Sequence, residues 1–199
     1  MMKLKDIYSL LEEDLKLIDQ ELASVLHEGS SKAAIEVIDF LIKASGKKIR
    51  PVLVLLSFYA TCLDPTEEQR VNLIKVAVAI ELIHLASLVH DDVIDEGKER
   101  RSQETINYKW GNKVSVTMGI FLYSVALQLI SEVESIDILK DVSRTVRAMC
   151  EGELTQLSTR GSGVFTEETY LAVIKSKTAD LFVSATLSGA RVGGATEEQ

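Results

Sequence analysis

The chain has 199 residues, 46% of them hydrophobic, which suits a single domain with a sizeable core and excludes a disordered polymer. Only two prolines and eleven glycines interrupt it, so long helices are permitted and an all-β fold is not expected. A net charge of -8 excludes a general nucleic-acid surface while leaving room for a local basic site.

The segment Met1 to Asp14 mixes lysines with acids and has no apolar signal core. Apolar residues at threes and fours (Ile7, Leu10, Leu11, Leu15, Ile18, Leu22) predict one helix over Leu4 to His27, and a second is expected over Ala33 to Ala44. Ser45-Gly46-Lys47-Lys48-Ile49-Arg50 breaks the pattern, and Pro51 suits the first turn of an apolar helix reaching Cys62. Asp64-Pro65 reads as a turn and Thr66-Glu67-Glu68-Gln69 as a capping box. The helix it opens runs to Glu96, is apolar on most faces, and belongs at the centre of a bundle; Gly97 ends it. Further helices are expected over Lys113 to Val133, Ile136 to Thr159 and Glu167 to Val192, with Gly161-Ser162-Gly163 as a loop. Val114 to Ile130 is uncharged, but its Ser115, Thr117, Gly119, Ser124 and Gln128 and its short length favour a buried helix over a transmembrane one. Cys62 and Cys150 form no CxxC and read as reduced core thiols of a cytoplasmic protein. Thr196-Glu197-Glu198-Gln199 repeats the capping-box pattern with no helix after it, which reads either as a polar tail or as the start of a helix beyond this sequence.

The chemistry concentrates at the end of the central helix. Asp91 and Asp95 are four residues apart and share a face, where like charges repel and the negative helix end disfavours both. Oxygen-only ligands that need a cation suit Mg²⁺ bridging to a phosphate. Asp92 is rotated by about 100° and is given a supporting role. Taken alone, the acids are equally a solvated helix end. Arg100 and Arg101 follow within one loop and offer forked donors matched to diphosphate oxygens, with a surface ion-pair cluster as the plain alternative. Lys47, Lys48 and Arg50 sit at a helix N-terminus, an unfavourable place for cations unless an anion binds there. His84, two turns before Asp91, is either a donor to that anion or a satisfied core histidine; His90 reads as structural. Lys177-Thr178 pairs a cation with a hydroxyl in an apolar helix, a weak phosphate signal by itself.

Together these residues resemble the trans-isoprenyl diphosphate (polyprenyl) synthase family. Asp91-Asp92-Val93-Ile94-Asp95 with Arg100-Arg101 is similar to its first aspartate-rich motif, Gly46 to Pro51 to its GKxxRP motif, His84 to His90 to the helix leading into the acids, and Lys177 to Phe182 to its KTAxLF motif. The resemblance implies an all-α antiparallel bundle around a central cavity, one domain over 1–199 that lacks its C-terminal third. It implies Asp91 and Asp95 as Mg²⁺ ligands. Arg100, Lys177 and Thr178 would hold an allylic diphosphate, and Lys47, Arg50, His84 and Arg101 isopentenyl diphosphate. Ala86 and Ser87, small where bulky aromatics shorten the product, imply a product longer than farnesyl diphosphate, with a floor from the helix of Phe121 and Tyr123. A homodimer is expected, or a heteromeric partner that supplies the family's second aspartate-rich helix, which nothing after Thr178 provides. Ile120 and Ser102 stand where the family usually has an acid and a glycine. A class I terpene cyclase would share the acids but not the basic site at Lys47, Arg50 and Arg101, and a bundle that merely binds partners would need neither.

Overall fold

In the computed structural model, which describes residues 3–43, 46–159 and 166–196, each long segment of helical periodicity is helical. The first run is two helices, α1 (Leu4–Leu10) and α2 (Glu12–His27), where one was expected. Leu11 leaves helical geometry at φ -104°, ψ 12° and is buried. The new helix starts where Glu12, Glu13 and Asp14 meet its positive end. α3 spans Lys32–Lys43 and α4 Ile49–Thr61. α4 begins two residues before Pro51, from Lys48 in the left-handed region at φ 50°.

α5 (Glu67–Ile94) opens on the expected capping box. The Thr66 hydroxyl accepts from the Gln69 N–H at 3.2 Å, and Gln69 Oε1 accepts from the Thr66 N–H at 3.0 Å. Its 28 residues span about 42 Å. Every residue from Val76 to Ile83 is at most 4% exposed, because α2, α4, α7 and α10 surround it. Between α5 and α7 lie two elements that periodicity does not reveal. One is an antiparallel hairpin, β1 (Glu99–Arg100) with β2 (Gln103–Glu104); the other is the short helix α6 (Ile106–Trp110). The hairpin turns through Arg101 and Ser102, both at positive φ (53° and 63°), as a two-residue turn of its kind demands.

α7 (Asn112–Glu132) lies along α5, and α8 (Ile136–Thr159) follows. The last helical run is α9 (Glu167–Ile174), a π-helical turn at Lys175–Ala179, and α10 (Asp180–Val192). α10 lies so close to α4 that a Cβ on Gly189 would overlap the Val54 carbonyl and Ser57. By length and composition both α5 and α7 could cross a membrane, but two-thirds of the apolar window of α5 (67%) is buried inside the bundle. The expected end of α3 at Ala44, the break at Ser45, the Gly161 to Gly163 loop and the capping pattern after Thr196 lie outside the described residues.

Candidate active site

Asp91 stands in the last turn of α5 and Asp95 caps it, its N–H donating to the Asp91 carbonyl at 2.8 Å. Asp91 is half-buried in a cavity of about 300 Å³, whose walls include Ser87, Tyr123, Met149, Glu153 and Lys177. Burial pushes its carboxyl above the usual aspartate range; Glu153 and Asp95 push the same way, while Lys177 and Arg100 pull it back. Burial is the main cause, and Lys177 is the strongest charge acting on Asp91, so a buried carboxylate only partly compensated is what a divalent cation would relieve. Among the described residues no group of three or more His, Cys, Asp or Glu converges as a closed metal cage. Two carboxylates one turn apart fit Mg²⁺, which takes one or two from the protein and completes its shell with phosphates and water.

Lys177 enters this cleft from the π-helical turn, a distortion that recurs at functional sites. Gly152 of α8 makes room for it, since a Cβ there would overlap Ser176 and press on the Lys177 stem. The Lys177 ammonium is ion-paired with Glu153 and donates to Gln156 Oε1 at 3.2 Å. Thr178 opens instead on an adjoining cavity of about 560 Å³ with Lys177, Gln156 and Tyr170.

Arg100 departs from expectation. Its Nε and Nη2 both lie 2.9 Å from one oxygen of Asp92, and it does not line the Asp91 cavity. Asp92 is 9% exposed, and a buried carboxylate holds the nearest guanidinium. Asp92 thus does take the supporting role: it anchors the hairpin, while Asn107 donates to its carbonyl and to that of Gly97, both at 3.0 Å.

The second cluster is a pocket of about 480 Å³ lined by Gly46, Lys47, Lys48, Ile49, Arg50, Glu81, His84 and Arg101. Lys47, Arg50, His84 and Arg101, predicted from three separate stretches, therefore do meet. Their meeting depends on Gly46, where a Cβ would overlap the Arg101 guanidinium. Tyr8 donates to the Lys47 carbonyl at 2.5 Å, and Lys48 is ion-paired with Asp19. The Arg50 guanidinium lies 4.5 Å over the Phe182 ring, so the last motif braces the first. Burial, with Arg50, Arg101 and Arg100, pushes the His84 imidazole down to about 3, so it is neutral and offers one N–H.

Two acids escaped the sequence reading. Glu81 is 4% exposed within the run Val76 to Ile83, and that lone carboxylate among apolar neighbours was the available signal. Glu153 signals only weakly, as one of many acids on an amphipathic helix. Of the small pair before the acids, Ser87 lines the cleft, whereas Ala86 is fully buried in the core and does not. Cys150 is exposed and lines the cleft, contrary to the expected core thiol, because α8 turns that position toward Asp91 and not into the bundle. His90, read as structural, packs its ring where a Cβ on Gly119 would be, with Nε2 3.2 Å from the Val116 carbonyl, and also lines the Asp91 cavity.

The family model for polyprenyl synthetase matches residues 31–199. The chain is 37% identical over 196 residues to heptaprenyl diphosphate synthase component 2 of Geobacillus stearothermophilus, covering 98% of this chain and 59% of that protein. It superimposes on a decaprenyl diphosphate synthase from Rhodobacter capsulatus with a TM-score of 0.88 at 32% identity, over 98% of this chain and 58% of that one. A polyprenyl synthase from Caulobacter crescentus CB15, solved with calcium and isoprenyl diphosphate, gives a TM-score of 0.84 at 30% identity, over 96% and 56%. The chain spans about three-fifths of the length of its curated relatives, 59% in the first two. Four motifs gathered on one helical bundle, a family model over most of the sequence and superposition of nearly the whole of this chain on solved synthases lead to one statement: this chain belongs to the polyprenyl synthetase family.

Proposed function

We propose that this chain carries the first aspartate-rich motif and the basic pocket of a trans-prenyltransferase that condenses isopentenyl diphosphate with an allylic diphosphate. One observation carries the reading: an acid-walled cleft and a separate cationic pocket are lined by the same helix, with Asp91 and His84 two turns, or about 10.5 Å, apart. Two anionic substrates each have a place, and their reacting ends can meet between them.

Asp91 and Asp95 would hold Mg²⁺. When bound, the ion supplies Lewis-acid stabilisation of the departing diphosphate. Lys177 binds the allylic diphosphate by exchanging Glu153 for phosphate oxygens; Thr178 donates its hydroxyl and Arg100 adds positive charge from the hairpin. Lys47, Arg50, Arg101 and the neutral His84 hold isopentenyl diphosphate. Its double bond attacks the allylic cation, and the proton then lost goes to the released diphosphate, so no side-chain nucleophile is required. Met149, Leu154 and Leu157 give the cleft an apolar wall that keeps water from the cation. Ser87 leaves that cleft open beside the acids, which favours a product longer than farnesyl diphosphate.

α7 leaves Val116 (41% exposed), Ile120 (60%) and Leu127 (44%) on one helical face, a stripe suited to a second copy of the chain. The relative named a component of heptaprenyl diphosphate synthase is consistent with a second reading, a subunit active only beside a different polypeptide.

The test is Mg²⁺-dependent elongation of geranyl diphosphate with labelled isopentenyl diphosphate. Asp91→Asn is expected to lose turnover yet gain stability. A carboxyl whose folded pKa is raised contributes stability at low pH that is lost as pH rises through that pKa. The Asn variant therefore melts above wild type at neutral pH, and the gain vanishes below the ordinary value of 3.8. Unchanged turnover refutes Asp91 as a metal ligand. Products no longer than farnesyl diphosphate refute the deep cleft. Turnover that requires an added second polypeptide selects the subunit reading.

A further inference from the structure

Two buried polar atoms in the cationic pocket have no hydrogen-bond partner: Arg50 Nε, a donor, and Glu81 Oε2, an acceptor. Each such orphan is costly, and both belong to residues that line the same cavity of about 480 Å³. A diphosphate with every oxygen ionised satisfies the donor and repels the acceptor. A phosphate oxygen that keeps its proton does the opposite job, donating to Glu81, while its ionised neighbour accepts from Arg50. Terminal phosphates titrate at about pH 6, so the protonated form is accessible near neutrality.

We propose that Glu81 is a recognition residue of this pocket, accepting a hydrogen bond from a protonated terminal phosphate oxygen, so that the diphosphate binds together with one proton from solvent. The inference rests on reading the pocket as the isopentenyl diphosphate site.

The groups facing Glu81 permit a clean readout. Lys48 and Arg50 face it from the start of α4, Arg101 from the hairpin, Asp19 from α2 and Tyr8 from α1. Lys48 is paired with Asp19. Burial raises the Tyr8 phenol above its ordinary value, so Tyr8 stays neutral near neutral pH. His84, on Glu81's own helix, titrates at about 3 and is neutral throughout. Burial holds the Glu81 carboxyl above its usual range against the pull of Arg50, Lys48 and Arg101, which suits it to share a proton. The phosphate and Glu81 are the facing pair placed to share a proton on binding.

The experiment is calorimetric titration of this chain with isopentenyl diphosphate in metal-free buffer with EDTA, which keeps the aspartate cleft out of play. Two buffers of different ionisation heat at about pH 7.5 count the protons. Wild type is expected to take up close to one proton, and its affinity to fall by up to about tenfold per pH unit above pH 7. Glu81→Gln, a neutral isostere, should show near-zero uptake and a flat profile, and Glu81→Asp should keep the uptake. Zero uptake by wild type overturns the proposal whatever the variants do, as does equal uptake by wild type and the Gln variant. No binding by wild type overturns the pocket assignment itself, and is told apart because no proton count is then reached.

Discussion

Gly46→Ala separates the site from the fold. The three atoms that a methyl at Gly46 would meet first all belong to the Arg101 guanidinium. The guanidinium is the far end of a flexible side chain, so it yields at little cost, and alanine lowers the entropy of the unfolded chain. The Arg101 side chain therefore swings away, and the fold stays as stable as before or slightly more so. What is lost is Arg101's contact with a bound diphosphate. Charged hydrogen bonds contribute about 1.5–3 kcal/mol. Arg101 is exposed, so solvent screening selects the lower end, and isopentenyl diphosphate binding should weaken roughly tenfold. Calorimetry on Gly46→Ala, Arg101→Ala and the double variant checks this. Each single change should cost about the same, and the double no more than either, since both remove one interaction. Additive losses, or unchanged affinity in Gly46→Ala, would refute the view that Gly46 exists to seat Arg101.

Ser102→Gly should raise the melting temperature. A non-glycine residue in the left-handed region costs about 1–2 kcal/mol, glycine's extra unfolded-state entropy returns about half, and roughly 1–3 °C remains in a chain of this length; a lower melting temperature would show that the Ser102 side chain stabilises the turn. Leu127→Glu, in the uncovered stripe of α7, should convert a dimer to a species of 22.0 kDa by light scattering, because an unpaired carboxylate would be buried at the contact. A wild type already at that mass rules the homodimer out.

Much of the fold was legible because one signal, apolar recurrence at threes and fours, carries it. α3, α4, α5, α7 and α8 fall within a few residues of expectation, and the capping box at Thr66 fixed the start of α5. The break at Leu11 was not legible, since an apolar residue at the right interval looks the same whether or not its backbone continues the helix. The hairpin escaped because two-residue strands have no period to detect, and its turn lacks the Asn-Gly or Asp-Gly that announces one. The π-helical turn escaped because periodicity is blind to a single inserted residue. In the site, charged residues in improbable places were readable: acids at a helix C-terminus, cations at an N-terminus. Which partner each side chain takes was not. Arg100 goes to Asp92, and Lys177 goes to Glu153, a residue on another helix with no local mark of its role.

The placement of strain says what the bundle is for. Five described non-glycine residues adopt positive φ, and four of them, Lys48, Glu96, Arg101 and Ser102, sit in the loops that frame the two clefts. Each costs about 1 kcal/mol or more, set against a total stability of about 5–15 kcal/mol. The two clefts also hold the raised Asp91 carboxyl and the orphaned atoms of Arg50 and Glu81, while Ser184 and Ser188 of α10 carry orphaned hydroxyls outside the residues that line them. A folding requirement would scatter such penalties wherever the chain must turn, yet the tight turn at Asp64-Pro65 shows no residue at positive φ. On the function proposed above, a metal and two diphosphates would relieve the charge and hydrogen-bond penalties, and α5, apolar and enclosed along most of its length, is the rigid element that carries both clefts.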